Sequence, residues 1–237
     1  EKQSEILENL IAKYGQVVTS HQIYQEVGRI FDYQQTKNLV SKLVSNGWLV
    51  RIKRELYAIS NLSSRGYLNL SPYAVASLLL PESYVSFEAA LAYHGMFDQL
   101  TRKTVSLSLK MHKVVEQSGI TYTFVKTKPD YFFGWQETTF GSLSARIAEP
   151  EKALIDMVNF HKSQYSIDLV IEKLVEYKRD IDLDRLNVNL RRFPSTTIKT
   201  FGLIFDLLGI DSNKLRTSID TKRGTSWMLP GDSKFNA

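Results

Sequence analysis

The spacing of apolar residues in the first 30 positions predicts two short helices. Apolar side chains between Ile6 and Tyr14 fall on one helical face, and Gly15 supplies a stop. Thr19 and Gln22 have the spacing of a capping box, in which the hydroxyl and the amide each bind a backbone N–H of the first turn. The second helix should therefore open there and end at Gly28. Its predicted inward residues are Ile23, Tyr24 and Val27.

A third helix followed by a hairpin is predicted next. Asp32 and Gln35 repeat the capping-box spacing, and the helix should end at Asn46-Gly47. Its apolar stripe is Thr36, Leu39, Val40, Leu43 and Val44. Two strand-like runs, 48–52 and 56–59, flank the polar tip Lys53-Arg54-Glu55. Three short helices and a hairpin predict a winged helix-turn-helix, in which the third helix enters the major groove of DNA.

The remainder of the chain predicts a mixed α/β domain whose C-terminal part is helical. The polar stretch Asn61–Asn69 has the composition of a linker, which places the domains at 1–62 and 63–237. The overall class is therefore α+β. Five helices are predicted: one after Ser71-Pro72, one at Ser86–Tyr93, one that begins at Glu149-Pro150, one from Ser166 onward, and one from a Ser195 cap to Leu208. Strands are predicted at 104–111 and 120–127. The helix after Ser166 should bury Ile167, Val170, Ile171, Leu174 and Val175.

Composition limits the possible locations and chemistry. The 237 residues include no cysteine, which excludes disulfides and cysteine-ligated zinc and is typical of a reducing cytoplasm. No apolar run approaches the roughly 20 residues that cross a bilayer, so a cytoplasmic protein without a membrane partner is expected. Charge is concentrated near the start. Residues 29–54 hold six basic side chains and one acidic side chain, a net +5, and the rest of the chain is balanced at 24 against 24.

This local basic excess points to double-stranded DNA as a partner. The outward face of the third helix carries Gln34, Gln35, Lys37, Asn38, Ser41 and Lys42, and the hairpin adds Arg51, Lys53 and Arg54; Ser20, at the start of the second helix, completes the predicted DNA-binding set. Amide side chains can pair with adenine, and cations can reach guanine or phosphate. The alternative is a solvated helix face on a winged helix that contacts only protein. The combination of charge, hairpin and polar leading turn favours DNA.

The second half offers little sign of catalysis. Gly141-Ser142 and Asp182-Leu183-Asp184 resemble fragments of a nucleotidyltransferase site, but they lie about 40 residues apart, and Asp182 has the position of a helix cap. His94 has no metal-like neighbour in sequence and should be satisfied by backbone groups. The Tyr131–Trp135 aromatic cluster is expected in the core. Lys152 and Asp156 are expected to form a surface ion pair. The prediction is a nonenzymatic protein with no metal or cofactor.

Three segments resemble the AbiEi-type antitoxins, which are transcriptional regulators of bacterial abortive-infection toxin–antitoxin systems. They are "LVRIKRELYAI" in the hairpin, "SYVSFEAALAYHGM" at 83–96 and "IAEPEKALIDMV" at 147–158. The resemblance covers roughly residues 5–160. It implies a negative autoregulator that binds promoter repeats through its winged helix. It also implies that the C-terminal domain neutralises a nucleotidyltransferase-like toxin, with or without direct contact. The alternative is a winged-helix repressor whose second domain senses a small ligand.

Overall fold

The computed structural model describes residues 2–28, 30–60, 70–99 and 102–217. Arg29, the predicted linker Asn61–Asn69 and the tail beyond residue 217 lie outside the described residues. Within the described part the fold is mixed α/β, with two sheets. We refer to residues 2–60 as the N-terminal unit and to residues 70–217 as the second unit.

The N-terminal unit contains three helices and a small antiparallel sheet. Its elements are α1 (Lys2–Tyr14), β1 (Val17–Thr19), α2 (Ser20–Val27), α3 (Tyr33–Ser45), β2 (Leu49–Lys53) and β3 (Leu56–Ile59). The strand order is β1-β3-β2. Both predicted capping boxes form, one between Thr19 and Gln22 and one between Asp32 and Gln35. Strand β1 was not predicted, because three residues are too few to display alternation.

The second unit is built on a six-stranded mixed sheet of order β6-β7-β5-β4-β9-β8. Parallel pairs join β5 to β7 and β4 to β9, and the other neighbours are antiparallel. The elements are α4 (Pro72–Leu79), β4 (Ser83–Val85), α5 (Phe87–Tyr93), β5 (Lys103–Ser108), β6 (Val115–Gln117), β7 (Ile120–Lys126), β8 (Trp135–Phe140), β9 (Leu143–Ala148), α6 (Pro150–Asp156), α7 (Gln164–Glu176), α8 (Leu183–Leu190), α9 (Ser195–Leu208) and α10 (Asn213–Arg216).

The two faces of this sheet pack against different partners. Alternation along β4 sends Tyr84 into a core with the later helices, where it joins Leu154 and Phe201. The next residue, Val85, points to the opposite face and belongs to a cluster that includes Ile52 of the N-terminal unit. A separate cluster fills the N-terminal unit itself, with Leu7, Leu43 and Leu49 among its members. One face of the large sheet therefore packs against helices α6 to α9, and the other packs against α4 and the N-terminal unit.

Several predicted details are wrong. Val175 is 60% exposed, because the buried face of α7 centres on Leu169, Val170 and Leu174. The N-cap of α9 is Pro194, and Ser195 is the first helical residue. Tyr24, predicted to point inward, is 37% exposed, because its ring packs edge to face against the exposed ring of Tyr33 on α3 and not into the core. In the second unit, helix α8 begins after Asp182, the predicted helix cap, although its course to Leu190 was not predicted.

Candidate nucleic-acid interface and the buried polar cluster

The outer face of α3 and the β2–β3 hairpin present the predicted DNA-binding residues to solvent. On α3, Gln34, Gln35, Lys37, Asn38, Ser41 and Lys42 are exposed, as are Arg51, Lys53 and Arg54 on the hairpin; Ser20 is half-buried at the start of α2. The exposure follows from the helical period, because Thr36, Val40 and Leu43 take the opposite face into the core. The predicted residues thus form one surface, rather than being scattered over the unit.

A cleft of ≈ 320 Å³ separates α3 from the hairpin and divides the predicted residues into two groups. Lys37 and Ser41 line one wall, and Arg51 and Arg54 line the other, with Ser20 at the end. The remaining predicted residues, Gln34, Gln35, Asn38, Lys42 and Lys53, do not line it. Among the residues that the structure describes, no carboxylate forms an ion pair with Lys37, Arg51 or Lys53. These cations can therefore bind an external anion.

Hydrogen bonds already occupy some of the amide side chains on α3. The side-chain oxygen Oε1 of Gln35 accepts a hydrogen bond from the Asp32 backbone N–H at 2.9 Å, as the capping box requires. Gln34 Nε2 donates to Asn38 Oδ1 at 3.2 Å. A bidentate contact with adenine needs both an amide donor and an amide acceptor. Asn38 keeps its N–H donors for an external partner, whereas Gln35 would have to share an oxygen that holds the helix start.

Tyrosines supply the part of the cleft that the sequence analysis missed. Tyr24, Tyr33 and Tyr57 all line it. Tyr33 is 61% exposed, and its ring lies 4.4 Å from the Lys37 ammonium, within cation–π range. Tyr24 meets Tyr33 edge to face at 5.9 Å. Position alone could have revealed Tyr33, because it directly follows the helix cap Asp32 in the leading turn of α3.

A cluster of polar side chains lies in the interior of the second unit and includes Lys152 and Asp156. The prediction that these two residues form a surface ion pair is therefore wrong. Both side chains are fully buried and form an ion pair. Lys152 Nζ also donates to the Tyr84 hydroxyl at 2.6 Å. Asp156 Oδ2 accepts from Ser86 Oγ at 2.8 Å and from the Tyr84 hydroxyl at 3.1 Å. Helical i, i+4 spacing identified the pair, but could not tell which face of α6 would be covered.

Burial dominates the electrostatics of this group. Removal from water raises the pKa of Asp156 above its usual value and lowers the pKa of Lys152, while the attraction between the two opposes both shifts. Burial, together with the neighbouring Asp156 carboxylate, also raises the pKa of Tyr84 well above its usual value. The ring centroids of Phe133 and Phe193 each lie 5.2 Å from Lys152 Nζ. With no exposed atoms, the pair has no access to a substrate.

The remaining chemistry-bearing residues have structural partners. His94 Nε2 lies 2.9 Å from the Ala148 carbonyl oxygen, which confirms that a backbone group satisfies it. Asp182 caps α8 by accepting from the Arg185 backbone N–H at 2.9 Å, as predicted. Within the described ranges, no cluster of His, Asp and Glu side chains could hold a metal ion. The aromatic residues Tyr131–Phe133 and Trp135 are half-buried against the main core, close to their predicted location.

Comparisons with known proteins identify a structural neighbour. No protein-family model matches the chain, and no curated protein matches it in sequence. The fold is similar to the crystal structure of the RV2827C protein from Mycobacterium tuberculosis, with a TM-score of 0.66 and 13% sequence identity. The match covers 97% of this chain and 86% of that chain. Across the described residues, no helix is long and apolar enough to span a membrane. At this identity, the similarity establishes a shared fold.

Proposed function

We propose that the N-terminal unit is a winged helix-turn-helix that binds double-stranded DNA. The order α1-β1-α2-α3-β2-β3, with the antiparallel hairpin directly after α3, supports this assignment. In the proposed complex α3 is the recognition helix, and the β2–β3 hairpin is the wing. The observation that carries the proposal is the exposed face of α3, which holds the amides and forms one wall of the cleft through Lys37 and Ser41. The wing cations Arg51 and Arg54 lie on the opposite wall.

The residues of this surface have separate roles in the proposed complex. Asn38 and Gln34 face outward on the leading turns of α3, where amide groups can read base edges in the major groove. Arg51, Lys53 and Arg54 contact the phosphate backbone and fix the orientation without reading sequence. Lys37 lines the cleft beside Tyr33 and reaches a phosphate or a guanine. Base reading therefore belongs to α3, and most of the electrostatic affinity belongs to the wing.

We further propose that the chain is an antitoxin and negative autoregulator of a toxin–antitoxin operon. The toxin would be nucleotidyltransferase-like, and the second unit would neutralise it without enzymatic activity. Support comes from the antitoxin-like segments at 83–96 and 147–158, which pack together in the fold. Tyr84 and Ser86 of the first segment hydrogen-bond to Lys152 and Asp156 of the second. The two segments that resemble one family are thus joined by hydrogen bonds in the interior of the second unit.

A small-ligand sensor is the second candidate for the second unit. A cleft of ≈ 530 Å³ beside α7 falls within the usual range for ligand sites, and this observation favours the candidate. Four carboxylates line the cleft, however: Asp98, Asp168, Glu172 and Glu176. Ligand pockets are mostly apolar with a few convergent polar groups. Lys173 also lines the cleft and forms ion pairs with Glu172 and Glu176. The lining is therefore unlike that of a pocket for an apolar ligand, which weakens the ligand-sensor candidate.

Salt titration of DNA binding tests the first half of the proposal. Lys53→Ala/Arg54→Ala removes two phosphate contacts and should weaken binding to every duplex. It should also make the negative slope of log affinity against log salt shallower by about 2. The adjacent cations Lys178 and Arg179, exposed in the second unit, provide a matched control, because Lys178→Ala/Arg179→Ala makes the same change in net charge. Equal slopes for the two double variants would contradict the proposed wing contact.

A cell-survival assay tests the second half. The chain is co-expressed with the product of the neighbouring reading frame, and survival is compared with expression of that product alone. Protection by both the native chain and Lys53→Ala/Arg54→Ala is expected, because the proposed antitoxic activity resides in the second unit. A neighbouring frame that encodes a metabolic enzyme, with no toxicity to relieve, would instead support the ligand-sensing repressor.

A further inference from the structure

The wing strand β2 carries two kinds of side chain on its two faces. Arg51 and Lys53 are exposed, whereas Ile52 between them is only 4% exposed. Ile52 lies in one hydrophobic cluster with Val75 of α4 and Tyr122 of β7, both in the second unit. The strand that presents the wing cations to solvent is therefore anchored from behind by the second unit.

A hydrogen bond adds a directional contact to this anchor. Gln117, the last residue of β6 in the second unit, donates from Nε2 to the Arg51 backbone carbonyl at 2.8 Å. The Gln117 side chain is mostly buried, with 9% exposure. A buried amide held by a backbone carbonyl fixes the position of that carbonyl, because loss of the bond leaves a polar group unsatisfied.

The anchor lies where the wing strand is irregular. The pairing of β2 with β3 shifts register between Arg51 and Lys53, so that Ile52 is the extra residue of a bulge. Bulges bend a strand and redirect the side chains that follow. Beyond this bulge come Lys53 and Arg54, and Glu55 turns the chain with a positive φ of 60°. The direction of the wing cations thus depends on a bend that Ile52 and Gln117 hold in place.

We propose that Gln117 is a positioning residue for DNA binding, which acts from the second unit by fixing the wing strand at Arg51. This inference rests on the proposed DNA-binding function and extends it. Binding by the N-terminal unit would then depend on a contact outside that unit. Any partner that moves β6 or β7 would change DNA affinity, because the hydrogen bond and the Ile52 cluster join those strands to the wing.

The test uses the full chain and a short DNA duplex of random sequence, because positioning affects phosphate contacts at every sequence. Gln117→Leu removes the donor and keeps the side-chain size. It should lower affinity about tenfold, the effect of about one charged hydrogen bond. It should also make the negative slope of log affinity against log salt shallower by about 1. The matched control is Gln136→Leu, on the exposed edge strand β8, which should change neither quantity.

Non-additivity separates positioning from general destabilisation. In the Arg51→Ala/Lys53→Ala/Arg54→Ala background all three proposed wing contacts are already lost, so Gln117→Leu should have little further effect on affinity. An equal tenfold loss in both backgrounds would overturn the positioning role, and so would native-like affinity and slope in Gln117→Leu. Should Gln117→Leu lack a cooperative thermal transition, Ile52→Val applies the same comparison with one methylene group removed. A native chain that does not bind the duplex would instead refute the proposed DNA-binding function.

Discussion

Loss of the buried Asp156 carboxylate should destabilise the protein far more than loss of a surface carboxylate. Asp156 accepts hydrogen bonds from Lys152, Ser86 and Tyr84, and none of these atoms is exposed to solvent. Asp156→Ala therefore leaves a buried ammonium uncompensated and the Ser86 hydroxyl without its acceptor. Breaking a buried pair from one side costs about 3–5 kcal/mol. Against a total stability of about 5–15 kcal/mol, this is a large fraction.

The direction of the pKa shifts predicts a different result for the double substitution. Burial raises the pKa of Asp156, so stability is lost as pH rises above 3.8 through the folded-state pKa. Burial lowers the pKa of Lys152, so stability is lost as pH falls below 10.5 through the folded-state pKa. Both shifts mean that the ionised pair is disfavoured relative to water at neutral pH. Lys152→Met/Asp156→Leu should therefore recover most of the loss caused by Asp156→Ala.

Urea denaturation of the full-length variants measures both effects. The control is Glu82→Ala, which removes one partner of the exposed pair between Lys110 and Glu82 and should cost no more than about 1 kcal/mol. A loss in Asp156→Ala as small as in Glu82→Ala would refute the reasoning, because a buried charge would then tolerate the absence of its partner. A double variant less stable than Asp156→Ala would refute the argument from pKa.

Further outcomes are expected for single substitutions, for the pH titration and for isolated fragments. Asn38→Ala should relax base preference by about 1–3 kcal/mol in a randomised-site selection, whereas Gln35→Ala should mainly cost helix stability, about 1 kcal/mol in denaturation, because its carbonyl completes the cap. Gly134→Ala should lower the melting temperature, because a Cβ at φ +71° would lie 3.0–3.2 Å from the Lys152 side chain. Burial raises the pKa of Tyr122 to about 12, so absorbance titration of tyrosinate should show a late step, and stability should fall between pH 10 and 12. Expressed alone, residues 70–237 should protect cells without binding the promoter, and residues 1–60 should bind DNA more weakly than the full chain; survival and binding assays on both fragments check this.

Local signals in the sequence predicted the N-terminal unit well. Capping boxes at Thr19 and Asp32, and the glycine at position 47 with φ of 73°, depend on residues within one turn of each other. Such features can be read without knowing what packs against the helix. Tyr24, which is 37% exposed, shows the limit of such local signals, because its exposure depends on how α2 packs beside α3. The cleft that it lines was therefore missed.

The interior polar group could not have been predicted, because its location depends on distant pairing. Lys152 and Asp156 lie four residues apart, as in many surface ion pairs. Their burial follows from β4, which brings Tyr84 and Ser86 beside α6 across about 70 residues of sequence. Position in the sheet, with β4 paired to β9, determines that approach. A single sequence carries no local signal for that pairing.

The structural role of the antitoxin-like segments changes where an antitoxic surface should be sought. Lys152 and Asp156 bind each other in the interior, so this pair maintains the second unit and offers no charged group to a partner. The exposed acidic side chains beside α7 lie elsewhere in the same unit. A substitution such as Asp156→Ala would reduce protection by destabilising the fold, which a survival assay alone cannot distinguish from loss of a contact surface. Functional mapping therefore has to begin with exposed residues in variants that keep a native thermal transition. Loss of protection in such a variant would identify the surface that carries the proposed antitoxic activity.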